Sequence, residues 1–130
     1  PTRRSSDLVE KILDEYEQAG YIDDQRYAEN FVYSKTKYER LGSRAIAYKL
    51  KQKGVSNEII QEVTSDLDTE LELENATEIA LKKARLNQRY DEQKRIQQIA
   101  GMVARKGYSG SIIFKLAKEA IETVARENEN

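Results

Sequence analysis

The sequence predicts an all-α chain built as tandem three-helix, helix-turn-helix-like repeats, and three observations carry that expectation. Pro occurs once, at position 1, so nothing in the interior removes a backbone donor from a helix. Apolar residues recur at i, i+3 and i+4 in seven stretches, and no stretch alternates with period two long enough to argue for a strand. A 22-residue segment also recurs 53 positions later.

The seven periodic stretches run over about 7–19, 24–38, 43–53, 57–66, 69–87, 91–106 and 110–126. Their boundaries carry their own chemistry. Asp23 or Asp24, Ser43 and Ser56 stand where a side-chain oxygen can accept from the free N–H groups of a first helical turn. Gly20, Gly54 and Gly107 stand where a helix stops in a left-handed residue, a conformation Gly adopts without steric cost. Tyr21, Tyr27, Phe31 and Tyr38 are spaced to cover a helix–helix seam, with Ala28 leaving room for close approach.

Residues 46–67 superpose on 99–120 with seven identities: Ile46/Ile99, Ala47/Ala100, Lys53/Lys106, Gly54/Gly107, Ser56/Ser109, Ile59/Ile112 and Ile60/Ile113. Polar identities accompany the apolar ones, which favours a true repeat over two unrelated helix-turn-helix patterns. The unit is helix, Gly, one residue, Ser cap, helix, and its Ile-Ile pair is expected to face the preceding helix. A shift near 51 brings in a third, partial copy, with Ser5, Leu8, Val9 and Ile12 on Ser56, Ile59, Ile60 and Val63. The expected division is therefore 1–20 as the last helix of a first repeat lacking its first two helices, 21–68 as a complete repeat, and 69–130 as a second complete repeat with a tail. Units of this size bury their apolar faces by stacking on one another into a quasi-linear array.

Of the 130 residues 38% are hydrophobic and 35% charged, with Lys+Arg (22) nearly cancelling Asp+Glu (23), yet the charge is laid out in blocks. Between 33 and 54 the bases Lys35, Lys37, Arg40, Arg44, Lys49, Lys51 and Lys53 face Glu39 alone, a net +6. Between 82 and 107 Lys82, Lys83, Arg85, Arg89, Lys94, Arg95, Arg105 and Lys106 face Asp91 and Glu92, again +6. Residues 57–78 hold eight acids and no base, and 7–29 are acidic too. Singly, such charges do no more than solvate exposed helices. Two positive blocks in similar register form a stripe able to meet phosphates or an acidic protein groove. Lys53 and Lys106, basic at equivalent positions, are the strongest single candidates. Tyr33, Tyr48 and Tyr90, inside or beside these blocks, are the candidates for stacking on bases.

The chain has no Cys and no His, which removes disulfides, thiol chemistry, the usual metal ligand and the usual neutral-pH base. Neither G-x-x-x-x-G-K-[ST] nor G-x-G-x-x-G occurs, so no phosphate-cradling loop is legible. No nucleophile stands beside a base in a recognisable motif. The expectation is a non-enzyme without cofactor or metal, not embedded in a membrane, soluble and cytoplasmic.

Gly20, Tyr21, Ile22, Asp23, Asp24, Gln25, Arg26, Tyr27 and Ala28 resemble the G-[YFL]-[IL]-D-D-x-[RK]-[FY]-A signature of the RecX family of bacterial recombinase regulators. Gly42, Ser43, Arg44 and Ile46 follow at similar spacing, then the run Leu50 to Ser56, and Arg105 to Ser109 resembles the final RecX repeat. The resemblance departs at the front, where the family's amino-terminal region and most of its first repeat are missing. It implies an elongated, curved, monomeric array that binds the RecA–DNA filament, lowers its ATPase and strand-exchange activity, limits filament growth in recombination and SOS repair, and binds single- and double-stranded DNA. It also implies that the Asp23-Asp24 pair serves as a cap and joint between repeats. The basic residues Lys35, Lys37, Arg40, Arg44, Lys49, Lys51, Lys53, Lys82, Lys83, Arg89, Lys94, Arg95, Arg105 and Lys106 are the expected RecA or DNA contacts. Two other readings compete: a helix-turn-helix transcription factor and a helical scaffold for another protein. The first is disfavoured because the expected reading helix 57–66 carries Glu58, Glu62 and Asp66, which repel phosphate.

Overall fold

The computed structural model describes the backbone of residues 2–130 and side chains from residue 7 onward. Every regular element in it is helical: α1 (Thr2–Glu39), α2 (Ser43–Gln52), α3 (Asn57–Ser65), α4 (Thr69–Leu86), α5 (Glu92–Arg105) and α6 (Ile112–Glu129). The all-α expectation holds, with six helices among the described residues where seven stretches were read.

The difference lies at Gly20. The expected stretches 7–19 and 24–38 are one 38-residue helix. Gly20 sits in its interior with open space around it, so it neither turns the chain nor makes room for a neighbour. A Gly inside a helix costs only about 1 kcal/mol against Ala, and no Pro follows to enforce a stop. Asp23 and Asp24 are consequently interior helical residues rather than caps. The apolar stripe of Leu8, Val9, Ile12, Leu13 and Tyr16 is exposed along the first half of α1, while Ser5, the expected equivalent of Ser56, lies outside the described side chains.

The other boundaries follow the local rules more closely. Ser56 caps α3 by accepting from the Ile59 N–H at 3.3 Å. Asp68 caps α4, and Asp91 caps α5 through the Lys94 N–H at 2.9 Å. Gly54 and Gly107 adopt φ of +86° and +99° after α2 and α5, as a left-handed stop requires. At α2, however, the cap position belongs to Gly42 rather than Ser43, and that residue supplies no side-chain cap. At α6 the repeat breaks: Gly110 has φ +85°, so the helix starts at Ile112, and Ser109 caps nothing. Ile59, Ile60 and Ile113 are buried but Ile112 is 43% exposed, because the lost first turn removes the position that would hold it against the core.

Two separate cores result. Ala28, Leu41, Ile46, Leu50, Val55, Ile59, Ile60 and Val63 fill the space between α1, α2 and α3. A second cluster built on Ala76, Ala80, Ala84, Ile99, Val103, Leu116, Ala117 and Val124 joins α4, α5 and α6. The repeat identities Ile46/Ile99 and Leu50/Val103 are the deepest residues of each, all fully buried.

Backbone joins the two trios. The N–H groups of Gly42, Ser43 and Arg44, at the start of α2, donate to Lys106 O (2.7 Å), Glu72 Oε1 (3.2 Å) and Gly107 O (3.2 Å). First-turn donors that have no partner within their own helix are thus satisfied by the next trio. Tyr108 donates its hydroxyl to Arg40 O at 2.8 Å, and Asn75 donates to Thr36 O at 3.1 Å. Arg40 is held at φ +53°, the one positive-φ non-Gly residue among the described residues. The approach is too close for side chains: a Cβ on Gly42 would stand 2.5 Å from Gly107 O, and one on Gly107 2.5 Å from the Ala45 N.

Candidate functional site

The joint brings the basic blocks of the two trios to one place. The end of α1 and the loop after it lie across α4 and α5, leaving a cleft of about 510 Å³. Arg40 comes from one side and Lys82, Lys83 and Lys106 from the other, over an apolar floor of Ile79, Leu86 and Met102. Lys106 Nζ donates to Glu39 O at 3.5 Å across the joint. The Lys35 ammonium pairs with the Glu39 carboxylate and holds it below the usual carboxylate range, and the charges of Lys49 and Lys106 push the same way. Two acids, Glu39 and Glu78, therefore line the cleft with four bases, Arg40, Lys82, Lys83 and Lys106, while Lys35 and Lys49 stand near Glu39.

The positive surface continues onto a second group. Arg89 donates to the Tyr90 hydroxyl at 2.8 Å, and its guanidinium lies 4.6 Å from the Tyr90 ring centre, with Lys94 Nζ at 4.5 Å. The hydrogen bond from Arg89, followed by the charges of Arg89, Lys94 and Lys83, lowers the Tyr90 phenol below its ordinary value. Lys83 is thus shared between the cleft and this aromatic plate. Lys37 sits over Tyr33 and Tyr38, 5.2 and 5.6 Å from their ring centres, and donates to the Tyr33 hydroxyl at 2.9 Å.

The remaining predicted bases fall elsewhere. Arg95 is turned inward and donates to Ala84 O at 2.9 Å, closing the end of α4. Arg44 meets the joint through its backbone, with its side chain exposed. Arg105 lies along its own helix near Gly101. Lys51 and Lys53 are exposed on α2 and its following turn and line neither large cleft. Lys53 and Lys106, matched in sequence, have different surroundings, because only the second is beside another trio.

Sequence reasoning placed Tyr38 in a seam, but it is 72% exposed and lines the cationic cleft; Tyr27 is exposed as well. Tyr21 and Phe31, half-buried, do pack against the first core, and Tyr21 also donates to the Glu62 carboxylate at 3.2 Å. Tyr38 follows Lys37 in a basic block, and that adjacency was the available signal. Leu86 and Met102 carried none, since an apolar residue on a cleft floor looks in sequence like any core residue.

On the other side of Arg40 lies a second cleft of about 670 Å³, walled by Val32, Val63, Leu67 and Leu71, with Lys37 and Arg40 on one rim and Asp66 and Asp68 on the other. Among the described residues no group of His, Cys, Asp and Glu is arranged to hold a metal ion, and no helix is long and apolar enough to cross a membrane.

Comparison with known proteins agrees with this architecture. Residues 23–63 match the RecX second three-helix domain and residues 70–116 the RecX third three-helix domain. The chain is 35% identical over 124 residues to the Regulatory protein RecX of Streptomyces coelicolor, a match covering 95% of this chain and 66% of that protein. It is likewise 35% identical over 117 residues to the Regulatory protein RecX of a Mycobacterium species (85% and 64%) and 28% identical over 116 residues to that of Thermobifida fusca (89% and 63%). The chain thus spans somewhat under two thirds of the length of the relatives it matches. No solved structure matches. Two trios in the order of the family's second and third domains, each with its own core, place the chain in the RecX family of regulatory proteins.

Proposed function

We propose that this chain acts as a non-catalytic regulator of the RecA recombinase, binding the RecA–DNA filament and lowering its ATPase, growth and strand exchange. The single observation that carries the reading is the joint cleft, where bases from both trios converge beside an exposed tyrosine and outnumber the acids Glu39 and Glu78. Neither trio makes that surface alone, so binding depends on the fixed geometry of the pair, as a ligand spanning several subunits of a polymer requires. Phosphate of single- or double-stranded DNA, or an acidic face of the recombinase, supplies the complementary charge. The chain works as a monomer in the cytoplasm, where the filament is. Of the expected contacts, Lys35, Arg40, Lys49, Lys82, Lys83, Arg89, Lys94 and Lys106 belong to this surface.

The test is RecA ATPase on single-stranded DNA, titrated with the chain and with a Lys82→Glu, Lys83→Glu, Lys106→Glu triple variant whose circular dichroism is unchanged. The expected result is inhibition by the wild-type chain that weakens steeply with salt and is lost in the variant. Equal inhibition by both proteins removes the cleft from the mechanism. The apolar second cleft favours a scaffold reading, in which binding to a protein responds little to salt; salt-insensitive inhibition that survives the triple variant would select it.

A further inference from the structure

Where the described backbone turns through a left-handed residue it uses Gly at 54, 107 and 110, with φ of +86°, +99° and +85°. At the end of α1 it uses Arg40 instead, at φ +53°. The turn itself needs only main chain there. Arg40 O accepts from the Tyr108 hydroxyl at 2.8 Å, and the Leu41 N–H donates to Lys35 O at 3.1 Å. A glycine would serve both bonds without the crowding of Cβ against backbone that a left-handed Arg bears. The side chain returns nothing to the fold: it is exposed and makes no hydrogen bond or ion pair with any described residue. Backbone strain kept for a side chain that contacts nothing within the chain points to a contact outside it.

Arg40 lines both large clefts and forms the ridge between them. Each cleft has an apolar lining, Val63, Leu67 and Leu71 in one and Ile79, Leu86 and Met102 in the other. Their charges differ in sign: Asp66 and Asp68 border the first, and Lys82, Lys83 and Lys106 border the second. We propose that Arg40 anchors a protein segment laid across the ridge, with a carboxylate on the guanidinium and an apolar side chain in each cleft. A further acid of that segment faces the lysines, and a base at its other end faces Asp66 and Asp68. The guanidinium fork matches a carboxylate with two parallel hydrogen bonds. A nucleic-acid backbone does not fit this order, because it is negative throughout and meets two aspartates on one side. A peptide changes sign from residue to residue and fits both sides. The inference rests on the regulator reading only for the protein that carries the segment, the recombinase.

The test follows amide NMR shifts of the full chain with three probes at millimolar concentration: the peptide acetyl-Asp-Leu-Glu-Leu-Lys-amide, its charge-reversed form acetyl-Lys-Leu-Lys-Leu-Asp-amide, and a thymidine oligonucleotide. Binding to RecA filaments on single-stranded DNA is measured alongside. The first peptide is expected to shift the amides of Arg40, Leu71 and Met102 together, and the other two probes are not. Arg40→Gly is expected to abolish those shifts and to weaken filament binding about tenfold, the loss of one charged hydrogen-bonded contact. The urea midpoints of Arg40→Gly and Arg40→Asn stay level or rise, because both residues accept a left-handed backbone. Lower midpoints in both variants would make Arg40 a structural residue and overturn the proposal. So would no shift with the first peptide, shifts at one cleft alone, or equal shifts with the reversed peptide or the oligonucleotide. Filament binding that is equal in the wild type and Arg40→Gly overturns it too and leaves the regulator reading standing. A wild-type chain that ignores the filament yet takes the first peptide through Arg40 does the reverse.

Discussion

Replacing Gly42 by Ala tests the joint with little local complication. Its φ of −82° and ψ of 169° are ordinary for any residue, so the substitution strains nothing within its own backbone. The added Cβ would stand 2.5 Å from Gly107 O, 2.6 Å from Gly107 C and 2.8 Å from Tyr108 N, all backbone atoms that cannot swing aside. Relief needs the two trios to part by roughly 0.9 Å, which stretches the 2.7 Å bond from Gly42 N to Lys106 O beyond hydrogen-bonding distance. The neighbouring bonds from Ser43 N and Arg44 N begin at 3.2 Å and go with it. At about 1 kcal/mol net for each bond, with buried carbonyls left unpaired, the expected loss is about 2–4 kcal/mol. That is a large share of the total stability of a protein this size. Urea unfolding followed at 222 nm measures it, and the two trios are expected to separate into distinguishable transitions as their coupling is lost. A change below about 0.5 kcal/mol would mean that the backbones are not in contact and that the reasoning about the joint fails.

Gly20→Ala is the opposite case: an open, interior helical glycine whose replacement is expected to raise stability by about 0.5–1 kcal/mol in the same assay, and destabilisation would show that the helix does bend there. Burial, with the Glu72 charge adding to it, pushes the Tyr108 phenol up to about 12. Because the folded state holds that proton more tightly, the associated stability is complete below pH 10 and is lost as the pH rises toward 12. Absorbance at 295 nm should show one late-titrating tyrosine, absent in Tyr108→Phe. On the acid side, Glu127 is held below the usual carboxylate value by Arg85, which donates to it at 2.7 Å, and Glu39 by Lys35. The stability both contribute is present above the ordinary Glu value near 4.5 and fades as the pH drops through their lower folded values. A Glu39→Gln, Glu127→Gln variant should flatten the melting profile in that window, and an unchanged slope would place those pairs in free exchange with water.

Much of this architecture is written in the chain. Helical periodicity, the Ser56, Asp68 and Asp91 caps and the left-handed Gly54 and Gly107 are local properties that neighbouring residues determine on their own. The repeated Ile46/Ile99 and Leu50/Val103 positions mark both cores, because burial of an amphipathic face needs the same spacing wherever the unit recurs. Local rules misjudge Gly20 because Gly permits a stop without requiring one, and the decision rests on whether the next residues have anything to pack against. They misjudge Ser109 as well, since Gly110 takes a left-handed turn that delays α6.

The site depended on distance in space rather than in sequence. The two basic blocks were visible as charge, but Arg40 and Lys106 meet only because two glycines let backbone approach backbone and three N–H groups find acceptors in the following trio. Arg95 left the site because the end of α4 needed a donor for the Ala84 carbonyl. Sequence alone therefore determined the helices, the repeat and the sign of each surface, which arise from interactions a few residues long. The tertiary structure decided which charges share a cleft, because that follows from how one trio is seated on the next.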